Sequence, residues 1–154
     1  MLDTPKIIQT TTQHTAVIHL TIPRNEIQIV MGPGINELMA TIGSQGIAPA
    51  GAWFTHHLKM SPEIFDFEIS VPVKAPVTST GRVKPSKWPA MKAARTTYCG
   101  SYEGLGDAWG EFDQWIESNG HKPAADLWEC YVAGPESGSD PAKWCTELTR
   151  PLLG

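Results

Sequence analysis

Two stretches of the chain carry apolar residues at helical spacing, and several shorter stretches alternate between apolar and polar residues. In the second half, the pattern predicts a helix over residues 102–118 with one buried stripe. That stripe consists of Leu105, Ala108, Trp109, Phe112 and Ile116. Ser101 is the expected N-cap, and Gly120 is the expected left-handed residue after the helix end.

Strands are predicted around both helices. The second helix is flanked by strands at about 91–99, 127–133 and 144–152. In the first half we predict a strand at 11–21, a helix at 26–44 ending at Gly46, and a hairpin joining 53–59 to 64–73 through the turn 60–63. Gly32-Pro33-Gly34 interrupts the helical pattern, so the first helix should be kinked or start late at Pro33.

The two halves match each other in sequence. Residues 42–50 recur as 116–124, and residues 67–73 recur as 146–152. The five extra residues of the second half fall within 133–143, a segment rich in Gly, Pro and Ser of the kind that tolerates insertions. Two ordered matches separated by one loop insertion indicate a duplication, and two copies must pair with each other to form a core.

The predicted organisation is therefore a single domain over residues 1–154, with repeats at about 6–73 and 90–152 joined by a proline-rich connector at 74–89. Each repeat is a strand–helix–strand–strand unit. We predict an α+β fold in which helices cover one face of an antiparallel sheet. The other face would be open and concave, with a central ligand cleft at the seam.

Composition narrows the class of protein. Apolar residues make up 41% and charged residues 18%, which is typical of a globular domain and not of a disordered chain. The net charge of −4, without a basic run, disfavours direct nucleic-acid binding. We find no membrane-length apolar run and no signal peptide, so we expect a cytoplasmic protein. The three cysteines, at no metal-like spacing, are expected to be reduced thiols.

Strand alternation selects the candidate site. Leu127, Glu129 and Tyr131 share one face of their strand, and the duplication aligns them with Trp53, Thr55 and His57. A carboxylate in mid-strand costs free energy unless it is paired or hydrogen-bonded, so Glu129 is either a functional group or a residue on a solvated face. The aromatic side chains expected around it, as walls of the cleft, are Trp53, His57, Phe65, Phe67, Tyr131 and Trp144.

Other polar residues give weaker signals. Glu68 and Glu147 are duplicated on the opposite face, where we expect a structural bond, for example to backbone near a helix end. His56 and His57 are adjacent and point to opposite faces of a strand, so they cannot chelate one metal ion. We find no metal motif, no phosphate loop and no nucleophile–base pair, and therefore predict no cofactor.

The ordered motifs resemble a known family. The segments that carry the resemblance are CGSYEGL at 99–105, WI at 115–116, WECY at 128–131, TEL at 146–148, and in the first half FTHH at 54–57 and FEISVPV at 67–73. Together they are similar to the GyrI-like small-molecule-binding domain, which also forms the effector-binding part of AraC-type and related multidrug-sensing regulators. The resemblance implies the duplicated fold and places Glu129 at the central acidic position that meets cationic drugs, with Tyr131 and Trp144 on the wall.

The resemblance leaves three functions open. The first is a module that binds a small aromatic or hydrophobic molecule, cationic in one version, with Glu129 as the charge partner. The second is a hydrolase that opens the cyclopropane ring of DNA-alkylating toxins, with Glu129 and Tyr131 as catalytic residues. The third is a gyrase inhibitor acting through a protein partner that the sequence does not identify. Because the two repeats fill the chain, we expect no helix-turn-helix domain.

Overall fold

The computed structural model describes residues 2–60, 63–133, 140 and 143–153. Within them lie two α-helices and eight antiparallel β-strands, which confirms the predicted α+β class. The elements of the first half are β1 (Lys6–Gln9), β2 (Gln13–Pro23), α1 (Ile27–Ser44), β3 (Phe54–Met60) and β4 (Ile64–Pro72). Those of the second half are β5 (Val83–Trp88), β6 (Lys92–Cys99), α2 (Leu105–Ser118), β7 (Leu127–Ala133) and β8 (Cys145–Pro151). Residues 61–62 of the predicted turn at 60–63, and residues 134–139 and 141–142 of the predicted loop at 133–143, lie outside the described residues.

The chain divides into two compact units. The first unit is Thr11–Ala90, and its strands are ordered β5-β2-β4-β3. The second unit combines Met91–Gly154 with Met1–Thr10, and its strands are ordered β1-β6-β8-β7. In sequence, β1 precedes β2 but pairs with β6, whereas β5 precedes β6 but pairs with β2. The segment predicted as a connector thus contains an edge strand, where Pro85 is tolerated because one side of the strand needs no donor.

The core of the first unit lies between α1 and the sheet. Phe67, Ile69 and Val71 of β4 pack with Leu38 and Ile42 of α1. The helix begins at Ile27 and passes through Pro33, so the late start expected at Pro33 is wrong. Gly34 lets the helix approach the sheet, because a Cβ at this position would lie 2.5 Å from Ile69 Cδ1. A side chain at position 34 would therefore require the end of the Ile69 side chain to move.

The core of the second unit lies under the predicted helical stripe. The buried residues of α2 are Ala108, Trp109, Phe112 and Ile116. They pack against Leu127 and Leu148 of the strands. The residue that precedes α2 is Gly104, and no side chain caps the helix. The expected Ser101 cap is wrong because a 3-10 turn, Tyr102–Gly104, comes between Ser101 and the helix.

Both helices end two residues before the predicted glycine, at Ser44 and Ser118. Gly46 and Gly120 have φ angles of 69° and 79°, in the left-handed region that glycine adopts without strain. The residue after each glycine donates a backbone hydrogen bond of 3.1 Å, from Ile47 to Ile42 and from His121 to Ile116. The two helix ends are therefore built alike. Neither described helix is long and apolar enough to cross a membrane.

Two of the three cysteines are not reduced thiols. Cys99 and Cys145 form a disulfide bond, with 4.1 Å between their Cα atoms, and Cys130 is free. The expectation of three free thiols is wrong because the pairing of β6 with β8 sets these two residues directly opposite each other. Their separation of 46 residues in sequence gives no sign of this contact.

Candidate ligand-binding site

Glu129 lies on the face of the second unit that α2 covers. Leu127 lies on the same side of β7 as Glu129, and Leu148 of β8 stands opposite Glu129 in the strand register. Both leucines are buried in the core against α2. We expected the Glu129 face to be the open one, and this is wrong. Alternation separates the two faces of a strand, but it does not say which of them a helix will cover.

The Glu129 carboxylate is held by two aromatic donors. The side chain is 9% exposed. Trp109 Nε1 donates to Oε2 at 2.7 Å, and Tyr131 OH donates to Oε1 at 2.8 Å. Tyr131 is two residues further along β7 and so shares its face, whereas Trp109 comes from α2. A neutral donor makes a stronger hydrogen bond to a carboxylate than to a neutral acceptor, and these two bonds fix the direction of both oxygens.

A guanidinium lies over the ring of Trp109. Arg150 Cζ is 5.8 Å from the centre of the indole ring, within the range of a cation–π contact. Arg150 Nε is 3.8 Å from Asp113 Oδ1. Partial burial raises the pKa of Asp113, attraction to Arg150 opposes this, and repulsion from Glu117 adds to it. Pairwise contacts thus link Asp113 and Trp109 of α2 to Arg150 of β8 and Glu129 of β7.

Sequence reasoning assigned Trp109 only to the core stripe and gave no role to Arg150. Arg150 is two residues after Leu148 on β8, so strand alternation alone places it on the Glu129 face. That signal was available in the sequence. The Trp109 contact was not, because it depends on how α2 is rotated over the sheet.

Trp144 lies immediately before β8 and is half-buried. Its carbonyl accepts a hydrogen bond of 2.8 Å from the backbone N–H of Gly100. Two residues later, Thr146 stands opposite Tyr131 in the β7–β8 register. Trp144 therefore belongs to the same unit as Glu129 and Tyr131, and its contact with a ligand stays a prediction.

The remaining predicted site residues lie in the first unit. His57 is 3% exposed and stacks on Phe67, with 5.3 Å between the ring centres, and Phe65 meets it edge-on at 5.2 Å. His57 Nε2 lies 3.2 Å from Thr55 Oγ1. Phe67 has no exposed surface, and half-buried Trp53 packs against the same core. These residues form an aromatic cluster, and their role as ligand contacts stays a prediction.

The duplicated glutamates lie on the opposite face and have side-chain partners. Glu68 Oε1 is 3.4 Å from His56 Nδ1, and Glu147 Oε1 is 3.4 Å from Arg95 Nε. The partners are thus side chains on neighbouring strands. Burial, assisted by Glu147 and opposed by Arg95, raises the pKa of Cys130 to about 11. Among the described residues, no group of three His, Cys, Asp or Glu side chains is placed to hold a metal ion.

An α+β domain with a buried carboxylate held by aromatic donors has the features of a small-molecule-binding domain. The profile of the GyrI-like small molecule binding domain matches residues 3–153. The chain belongs to this family. The comparison with curated protein sequences gave no significant match.

Solved structures share the fold at low sequence identity. The crystal structure of the EcmrR C-terminal domain is 21% identical, with a TM-score of 0.86 over 97% of each chain. In the EcmrR–DNA complex the chain spans 57% of the EcmrR protein. SAV2435 bound to tetraphenylphosphonium is 13% identical, with a TM-score of 0.65 over 99% of this chain and 95% of that one. A hydrolase encoded by lin2189 from Listeria innocua is 13% identical, with a TM-score of 0.68 over 97% and 91%.

Proposed function

We propose that this domain binds a small aromatic or hydrophobic molecule, and that Glu129 favours ligands that carry a positive charge. The observation that carries the proposal is the environment of Glu129. Its carboxylate is nine-tenths buried, and both oxygens accept hydrogen bonds from aromatic side chains, Trp109 and Tyr131. Charge and aromatic surface are the two features that an organic cation with aromatic rings requires.

The energetics support a cation at this position. An aromatic ring facing a cation contributes about 0.5–2 kcal/mol, with the larger values in sites that exclude water. A carboxylate of low exposure attracts a cation more strongly than an exposed one, because less solvent screens the pair. SAV2435, which shares the fold, was solved with tetraphenylphosphonium, a cation surrounded by four phenyl rings. This makes tetraphenylphosphonium the natural first probe.

Calorimetric titration with tetraphenylphosphonium, and with the neutral triphenylphosphine oxide, tests the proposal. The protein should prefer the cation, and Glu129→Gln should weaken its binding by about 10- to 100-fold, since a hydrogen-bonded charge contributes on the order of 1.5–3 kcal/mol. The matched control is Glu147→Gln, which removes a carboxylate from the opposite face. Equal affinity for the cation in wild type and Glu129→Gln would exclude Glu129 as the charge partner.

Hydrolysis is the second candidate, and one contact favours it. Tyr131 OH and Glu129 Oε1 are 2.8 Å apart, so a carboxylate base and a phenol lie side by side. In ring opening of a cyclopropane conjugated to a carbonyl, Glu129 would take a proton from water as the water oxygen bonds to a ring carbon. The C–C bond would break with its electron pair moving to the carbonyl, whose oxygen then gains a proton. Tyr131 already donates its single proton to Glu129, so it must turn away before it can serve that oxygen.

Turnover separates catalysis from binding. The protein would be incubated with an excess of a cyclopropanoid toxin, and the ring-opened product counted by mass spectrometry. Catalysis predicts many equivalents of product and a rate that falls steeply in Glu129→Gln. One equivalent of product or less, or an unchanged rate in that variant, would leave only binding.

A further inference from the structure

We propose that Trp109 is a positioning residue, which fixes the direction of the Glu129 carboxylate and donates a hydrogen bond to its charged form, and so determines the preference of the site for cations over neutral molecules. This inference rests on the proposed binding function. Its geometric basis is the 2.7 Å hydrogen bond from Trp109 Nε1 to Glu129 Oε2, made by a residue of α2 that the sequence places only in the core.

The indole itself is held on several sides. Trp109 is 7% exposed and packs in the core of the second unit, where its ring centre lies 5.8 Å from that of Phe112. The Arg150 guanidinium stands 5.8 Å from the indole centre. With the ring fixed in this way, the direction of its N–H toward Oε2 is fixed as well. Tyr131 completes the arrangement at Oε1.

The chemical type of the donor determines whether the Glu129 carboxylate keeps its full negative charge. An indole N–H stabilises a carboxylate without cancelling its charge, so the charge remains effective toward a ligand. The nearby Arg150 guanidinium has its own ion pair with Asp113. Titratable or charged side chains on this face of the strands and on the helix include Tyr131, Tyr98, Lys92, Arg150, Asp113 and Glu117.

Trp109→Phe removes the N–H and keeps an aromatic ring in the core. We expect tetraphenylphosphonium affinity at pH 7.5 to fall about tenfold, because one hydrogen bond to a charged group is lost. Affinity for triphenylphosphine oxide should change little. Because the carboxylate loses a donor that favours its ionised form, cation binding should begin to weaken at a higher pH in the variant than in wild type on acidification. Trp115→Phe, the same change on the same helix, is the control.

Two measurements on the ligand-free protein separate this inference from the proposed function. A ¹³C NMR titration of the Glu129 carboxyl should show its midpoint moved upward in Trp109→Phe and unmoved in Trp115→Phe. In Glu129→Gln, which leaves Trp109 in place, the indole N–H proton of Trp109 should shift upfield while those of the other tryptophans stay.

The outcomes are distinct. If wild type fails to bind the cation but both NMR changes occur, the proposed function is wrong and the positioning role stands. If the Glu129 midpoint and the Trp109 indole resonance are both unmoved, the positioning role is wrong whatever binds. If Trp109→Phe does not fold, the indole resonance in Glu129→Gln decides. An equal ratio of cation to neutral affinity in wild type and a folded Trp109→Phe would overturn the claim about specificity.

Discussion

The two units of this protein share a framework. Their strand orders correspond, β5-β2-β4-β3 and β1-β6-β8-β7. Register irregularities also fall at corresponding places, after His57 in β3 and after Tyr131 in β7. Alanines that follow each helix, Ala50 and Ala124, both donate a 2.8 Å hydrogen bond to the proline that ends a strand of their own unit, Pro72 of β4 and Pro151 of β8. These shared features support our proposal that repeats at 6–73 and 90–152 arose by duplication.

The same positions carry different chemistry in the two units. Where the second unit has Glu129 opposite Leu148, the first has Thr55 opposite Ile69. Where the second has the Cys99–Cys145 disulfide, the first sets Thr21 opposite Asp66. The backbone pattern was kept in both copies while individual side chains changed. The framework alone therefore does not make a charged site.

The disulfide should give the largest difference between the units. Removing it with Cys99→Ala/Cys145→Ala should lower the free energy of unfolding by about 2–4 kcal/mol, because the bond closes a long loop in the unfolded chain. Urea denaturation under non-reducing conditions measures the loss. The matched change Thr21→Ala/Asp66→Ala removes an exposed 3.4 Å hydrogen bond together with the exposed contact of His19 Nε2 with Asp66 Oδ1, and should cost no more than about 1 kcal/mol. Equal losses in the two double variants would contradict the comparison.

Cys130 stands opposite Glu147, where the first unit sets His56 opposite Glu68. Because the pKa of this thiol is raised from 9.0 to about 11, at pH 8 it should hold about a hundredfold less thiolate than an ordinary cysteine. Iodoacetamide should therefore label it about a hundredfold more slowly than a peptide thiol, and the rate should keep rising with pH well above 9. Glu147→Gln should speed the labelling, since Glu147 is one cause of the raised pKa. A peptide-like rate at pH 8 in the folded protein would contradict this prediction.

The glycines that end the helices test whether the two units respond equally. Gly46→Ala and Gly120→Ala should each cost about 1 kcal/mol, because a Cβ disfavours their positive φ angles although it meets no atom within 4 Å. Gly110, inside α2, also has open space around it. Gly110→Ala should stabilise the protein by about 0.5–1 kcal/mol through helix propensity. Thermal unfolding of the three variants gives the comparison, and a loss confined to one of the two helix ends would break the equivalence.

Asp113 should give the smallest effect. Its pKa is raised by burial, so the folded protein disfavours the ionised form, and stability present below the ordinary value near 3.8 is lost as pH rises above it. Asp113→Asn removes this cost and should be more stable than wild type at pH 7, by no more than about 0.5 kcal/mol because the side chain is partly exposed. The gain should vanish below pH 3.8. Urea denaturation at the two pH values measures it, and a loss at pH 7 would mean that attraction to Arg150 dominates.

Much of the local structure could be predicted from the sequence. The stripe from Leu105 to Ile116 gave the buried face of α2, and Gly120 gave its end, because helical periodicity and left-handed turns are local properties. Strand alternation placed Glu129 and Tyr131 on one face and Glu147 on the other for the same reason. Resemblance to the family added the expectation that Glu129 is a central acidic residue.

The contacts that define the site could be identified only from the tertiary structure. Cys99 and Cys145 are far apart in sequence, and only the β6–β8 register brings them together. Whether the Glu129 face is covered or open depends on where α2 packs, and the Trp109 hydrogen bond depends on how that helix is rotated. By itself the sequence determined both helices, the glycines that follow them and the sides of the strands it predicted, since these follow from neighbours along the chain, but it missed the strands β1 and β5. Only the tertiary structure decided which side a helix covers and which side chains meet, because those follow from packing between distant segments.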